Sequence, residues 1–84
     1  MRTFRVYLTT QSVKFGNVHQ CRNELQALTP EDALGEAMDA LPIFGESGKQ
    51  LTRVLEAQVW EHQRDERFGA HETLRIHSRL EGVR

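Results

Sequence analysis

One stretch governs what this chain can fold into: Thr29 to Leu41, Thr-Pro-Glu-Asp-Ala-Leu-Gly-Glu-Ala-Met-Asp-Ala-Leu, which carries the only complete set of helix signals in the sequence. Thr29 is suited to the N-cap, where a hydroxyl accepts a hydrogen bond from a backbone N–H that has no partner inside the helix. Pro30 fits the first helical position, which has no use for its missing N–H. Asp32 takes the third place of a capping box, and Glu31 and Asp32 together put negative charge where the helix dipole favours it. Ala33, Leu34, Ala37, Met38 and Leu41 recur at helical spacing as one apolar stripe, with Glu31, Glu36 and Asp39 pointing elsewhere. Pro42 ends the pattern.

Around this one helix the remaining segments read as strands. Thr3 to Thr9 alternates, with Phe4, Val6 and Leu8 on one side and Arg5, Tyr7 and Thr9 on the other. Gln11 to Asn17 is a polar connection closed by Gly16-Asn17, in which Val13 and Phe15 are isolated apolar residues. In the segment from Val18 to Leu28 the inward set is Cys21, Asn23, Leu25 and Ala27, and its polar member suggests an edge or a bulge. Ile43 to Lys49 is a loop whose Ile43 and Phe44 are placed to cap the core. A long strand over Gln50 to His62 has Leu51, Leu55, Ala57 and Val59 inward and Val54, Glu56, Gln58, Trp60 and His62 outward. After a charged turn, a last strand over Ala70 to Leu80 turns Leu74, Ile76 and Leu80 inward and His71, Thr73, Arg75, His77 and Arg79 outward.

The predicted architecture is α+β, order ββαββ: one helix on one face of a four-stranded, mostly antiparallel sheet, in a single domain covering residues 1–84. The other face of the sheet is left open. It is expected to carry Arg5, Tyr7, Arg22, Trp60, His71, Arg75, His77 and Arg79, opposite the acidic helix surface of Glu31, Glu36 and Asp39. A formal net charge of −1 thus conceals a basic, aromatic side and an acidic one, although outward positions on any solvated sheet are polar too.

Chemistry is harder to find. Gly45-Glu46-Ser47-Gly48-Lys49 resembles the end of a phosphate-binding loop, but Ile43 stands at the first glycine, Gln50 follows the lysine, and a strand comes next in place of a helix. His19 and Cys21 share a strand face, as do His71 and His77, yet no metal-ligand spacing gathers four donors. Cys21 has no third group to orient a Cys-His pair. The expectation is a non-enzymatic protein with no cofactor and no metal. A lone cysteine, no apolar leader in Met1 to Thr10 and no long apolar run give the expectation of a cytoplasmic protein without a membrane span.

The succession of a short first strand, a second strand leading through Leu-Gln-Ala-Leu-Thr-Pro-Glu-Asp-Ala into a single helix, and a closing hairpin is similar to small phage or mobile-element proteins, among them some type I anti-CRISPR inhibitors. The likeness is one of element order and length. It implies a protein that binds a CRISPR surveillance complex and blocks its contact with DNA, with Glu31, Asp32, Glu36 and Asp39 against a basic partner. Read from the residues alone, Trp60 and Tyr7 with Arg5, Arg75, His77 and Arg79 form the kind of surface that anchors a protein partner, a larger protein or ribonucleoprotein or a twin subunit. The alternative is a single-stranded nucleic-acid module that stacks bases on the open face.

Overall fold

In a computed structural model, which describes residues 1–41, 48–67 and 69–79, the chain runs β1 (Arg2–Ser12), β2 (Val18–Ala27), α1 (Pro30–Asp39), β3 (Thr52–Asp65) and β4 (Gly69–Arg79). The four strands form one sheet in the order β2-β1-β3-β4, and all three pairings are antiparallel. The expected ββαββ layout is the one observed. β2, with its polar Asn23 on the inward side, is an edge strand.

The helix begins as its residues dictate. Thr29 is extended, with φ −135° and ψ 159°, and its hydroxyl accepts from the Asp32 N–H at 3.1 Å. Helical structure stops at Asp39 with Ala40 as C-cap, two residues short of the expected Leu41. The stop assigned to Pro42, the Ile43 and Phe44 cap, the phosphate-loop likeness and the inward Leu80 fall on residues 42–47 and 80, outside the described residues, apart from Gly48 and Lys49.

The core lies beneath α1. Phe4, Val6 and Leu8 of β1 and Val59 of β3 are fully buried, and Ala57, Ala27, Ala33 and Ala37 close the cluster. Of the predicted helix stripe only the two alanines are buried; Leu34, Met38 and Leu41 pack around the rim. A small side chain at each central contact lets the helix approach the sheet closely, so the larger neighbours end up at its flank. Each large core side chain contributes about 1.5–3 kcal/mol through burial.

Two bulges rewrite the faces read from alternation. Between β1 and β3 the register shifts so that Thr9 faces Glu56 while Thr10 faces Val54. Val54 therefore packs against the core although alternation places it outward, and Leu51, expected inward, is exposed at the strand's start. Between β3 and β4 the shift falls at Val59/Trp60: Val59 faces Ile76, and Trp60 faces Leu74. Leu74, expected in the core, emerges on the open face and is exposed. Arg75, expected on the open face, turns to the helix side, where its Nε donates to Glu61 Oε1 at 2.9 Å. His71 and His77 no longer share a face, because their partners Gln63 and Gln58 lie on opposite sides of β3. A single extra residue in one strand reverses every alternation beyond it.

Glu61 occupies an inward position of β3, opposite Phe4, and is buried. Arg2 of β1 grips it through two bonds, Nε at 2.8 Å and Nη2 at 2.7 Å, and Arg75 of β4 adds the third. The Arg2 guanidinium also lies 5.1 Å from the centre of the Phe4 ring. Hydrogen bonding by Arg2 outweighs the cost of desolvation and, with Arg75 helping, holds the Glu61 carboxyl at about 2, below its ordinary 4.5. This cluster laces β1, β3 and β4 at the end of the core.

Candidate binding surfaces

Among the described residues no element of the chain lies over the sheet face opposite α1. Strand register places Arg5, Tyr7, Gln58, Trp60, Glu72 and Leu74 there, at its centre. Tyr7 pairs with Gln58 and Arg5 with Trp60, so the two aromatic residues are diagonal neighbours across β1 and β3. Both are half-buried by the side chains around them. The indole Nε1 of Trp60 donates to Gln58 Oε1 at 3.0 Å, and Gln58 Nε2 donates to Glu56 Oε1 at 3.1 Å. Tyr7, Gln20, Gln58, Trp60 and Glu72 line a shallow hollow of about 290 Å³.

The charges of this face are more evenly matched than outward arginines alone suggest. Arg5 bridges Glu24 at 2.9 Å and Glu72 at 2.7 Å, and Arg79 meets Glu56 at 3.0 Å beside His77 at 3.4 Å. The hydrogen bond from Arg5 lowers the Glu24 carboxyl pKa; those from Arg79 and then His77 lower that of Glu56. Arg22, Arg53 and Arg64 share the face by register and make no ion pair among the described residues. The face therefore carries a cationic excess held away from its centre, with the aromatic pair and a glutamine network in the middle.

Of the residues expected on this face, Arg5, Tyr7, Arg22, Trp60, His77 and Arg79 come together there, and Arg75 and His71 leave it. Glu56 and Gln58 join them as alternation along β3 predicts, whereas Gln20 and Glu72 belong to the same surface without a signal in the sequence, since only the register of four strands makes them neighbours.

The acidic residues form a second surface. Glu31, Asp32, Glu36 and Asp39 are all exposed and line one groove of about 390 Å³ between α1 and the end of β2. Its apolar part comes from Met1, 83% exposed, and Leu28, 66% exposed, with Gly35 in its wall. Arg2 is close by, but its guanidinium is committed to Glu61 and to the Leu28 carbonyl at 3.3 Å.

At the far end of β1 and β2, where the sequence predicts only a polar connection, lies a third surface. Ser12 N–H donates to Asn17 O at 2.9 Å, and Gly16, at φ +75°, closes the turn with its N–H on Ser12 O at 2.8 Å. Val13 N–H reaches across to Leu51 O at 3.0 Å. Phe15 is 72% exposed, with Lys14 Nζ 5.3 Å from its ring centre. Val13, Lys14, Lys49, Gln50 and Leu51 line an open hollow of about 430 Å³. The signal available in the sequence was that both lysines of the chain, Lys14 and Lys49, stand next to or near isolated apolar residues.

No protein-family model, no curated protein and no solved structure matches this chain. No helix among the described residues is long and apolar enough to cross a membrane.

Proposed function

We propose that this chain is a small non-enzymatic binding domain whose open sheet face docks onto a larger protein or ribonucleoprotein, with Trp60 and Tyr7 as anchors. One observation carries the reading: an aromatic pair sits around a hollow at the centre of a sheet face that no described element covers. Large aromatic side chains with a nearby arginine are the residue types that dominate interface energetics, and they do so where surrounding contacts exclude water. The Arg5 bridges and the Trp60–Gln58–Glu56 chain hold these side chains in place before any partner arrives, which lowers the ordering cost of association. The resemblance in element order to some anti-CRISPR inhibitors makes a CRISPR surveillance complex the first partner to try, and phage or mobile-element origin and a cytoplasmic setting belong to the same proposal.

The test is capture with immobilised wild type and with Trp60→Glu, followed by an affinity measurement on whatever the wild type retains and on a purified surveillance complex. Removing an aromatic anchor costs at least about 2 kcal/mol, so Trp60→Glu is expected to bind at least about thirtyfold more weakly. A partner held equally by both proteins overturns the assignment of this face. Fluorescence anisotropy with short single-stranded DNA and RNA runs alongside. Micromolar binding that weakens steeply with salt would replace the protein partner by the nucleic-acid alternative.

A further inference from the structure

We infer that the hairpin end around Phe15 docks into the acidic groove of a second copy of this chain, giving a head-to-tail assembly. The inference goes beyond the proposed role of the open face and uses neither Trp60 nor Tyr7. Its first support is charge segregation. Residues 12–19 and 48–53 contain Lys14, Lys49 and Arg53 and no acid, whereas residues 27–40 contain Glu31, Asp32, Glu36 and Asp39 and no lysine or arginine. These segments lie at opposite ends of the β1–β2 hairpin, because Gln11 pairs with Val18 at one end and Arg2 with Ala27 at the other.

The second support is that each end offers apolar surface beside its charges. Phe15, Val13 and Leu51 are exposed at the cationic end, and Met1 and Leu28 at the acidic one. An apolar cluster rimmed by charge is what an interaction site presents to solvent. The groove is large enough to take an aromatic side chain, with the Lys14 ammonium then falling among the four carboxylates.

The third support is a residue that the isolated chain does not need. Gly35 stands in the middle of α1, where glycine is the poorest helix former short of proline. Among the described residues a Cβ at this position would meet nothing within 4 Å, so their packing gives no reason for its absence. Its place in the wall of the groove does give one: an approaching ring contacts helix backbone directly. Likewise Asp39 sits at the helix C-terminus, where the dipole disfavours an anion and the last turn holds no basic residue. Both features cost the helix stability and both favour a cationic, apolar visitor.

Docked in one direction, two different patches on the same chain make a heterologous interface that propagates into open chains or closes into a ring; two copies lying antiparallel exchange both contacts and close as a two-fold dimer. Sedimentation velocity over a broad concentration range is expected to show association to the dimer or beyond at low salt and reversal to monomer at high salt, since contacts between exposed charges are screened. The head variant Phe15→Ser/Lys14→Glu and the tail variant Glu36→Lys/Asp39→Lys change exposed residues only. Each alone is expected to associate at least tenfold more weakly. Mixed together, they are expected to form a one-to-one heterodimer and nothing larger, because only one intact head and one intact tail remain per pair. Trp60→Glu is expected to assemble as the wild type does, which separates this inference from the proposed function. A chain that stays monomeric at every concentration, single variants that assemble normally, or a mixture that remains monomeric would each overturn it.

Discussion

Phe4 and Phe15 sit on the same hairpin, and the contrast between them separates the part of this molecule that holds it together from the part left facing outward. Phe4 is fully buried beneath α1, beside Val6 and Val59. Phe15 is 72% exposed at the turn. The reason is length. A ten-residue helix spans about 15 Å, while strands of 11 and 14 residues run about 36 and 46 Å in a molecule 50 Å long. One helix cannot cover such a sheet, so an apolar residue beneath the helix enters a core and one at the uncovered tip stays in solvent. Strand length well beyond what the core uses puts chemistry at the ends.

The sharpest way to break the contrast is to truncate each ring in turn. Phe4→Ala removes a fully enclosed aromatic side chain and is expected to cost about 3–5 kcal/mol. Against a total stability of about 5–15 kcal/mol, that brings a chain of this size close to unfolding. Phe15→Ala is expected to move stability by no more than about 0.5 kcal/mol, as for other surface substitutions. Urea unfolding followed by circular dichroism reads both. Similar losses from the two would mean that the turn belongs to the core.

The next effect concerns the lacing at the end of the core. The Glu61 carboxyl has a lower pKa in the folded chain than its ordinary value, about 2 against 4.5, so the unfolded chain binds its proton more readily. The stability contributed by ionised Glu61 is therefore complete above about pH 4.5 and is lost as the pH falls towards about 2. Glu61→Gln keeps the shape of the side chain and removes the titration. It is expected to be less stable than the wild type at neutral pH and to lose less of its stability between pH 4.5 and 2. Denaturation midpoints across that range measure the difference. Parallel curves would show that the bonds from Arg2 and Arg75 contribute no acid sensitivity.

The capped helix, the alternating β1 and the inward set of β2 were legible because each depends on local chemistry: Thr29 at a cap, Pro30 at the first helical position, Phe4, Val6 and Leu8 two apart. What was not legible depends on pairing. Nothing in Thr52–Asp65 or Gly69–Arg79 announces the two bulges, since a bulge is a mismatch between strands and belongs to neither alone. Arg75 was lost from the open face and Val54 gained by the core for that reason. Glu61 was visible in principle, as a carboxylate continuing the inward series Ala57 and Val59. Its partners Arg2 and Arg75 are 59 and 14 residues away, so only the sheet reveals that it is satisfied. Alternation predicts the aromatic pair of the open face together with Glu56 and Gln58, whereas Gln20 and Glu72 beside them require the strand order. The Phe15 turn carries no such signal, because an isolated apolar residue in a polar connection has no periodicity to mark it.

The smallest expected effect is the most discriminating, because it runs in opposite directions for the two properties it touches. Gly35→Ala adds a Cβ that meets nothing within 4 Å of the monomer, and it exchanges the poorest helix former short of proline for the best. It is expected to raise stability by about 0.5–1 kcal/mol. In the same stroke it lines the wall of the acidic groove with a methyl group where a neighbour's ring would approach the backbone. If the groove receives Phe15, the more stable variant assembles more weakly, a trade expected where a residue serves binding at the expense of the fold. Urea midpoints and sedimentation of the same preparation test both halves. A gain in stability with unchanged assembly would return Gly35 to the helix surface as a residue without a part in docking.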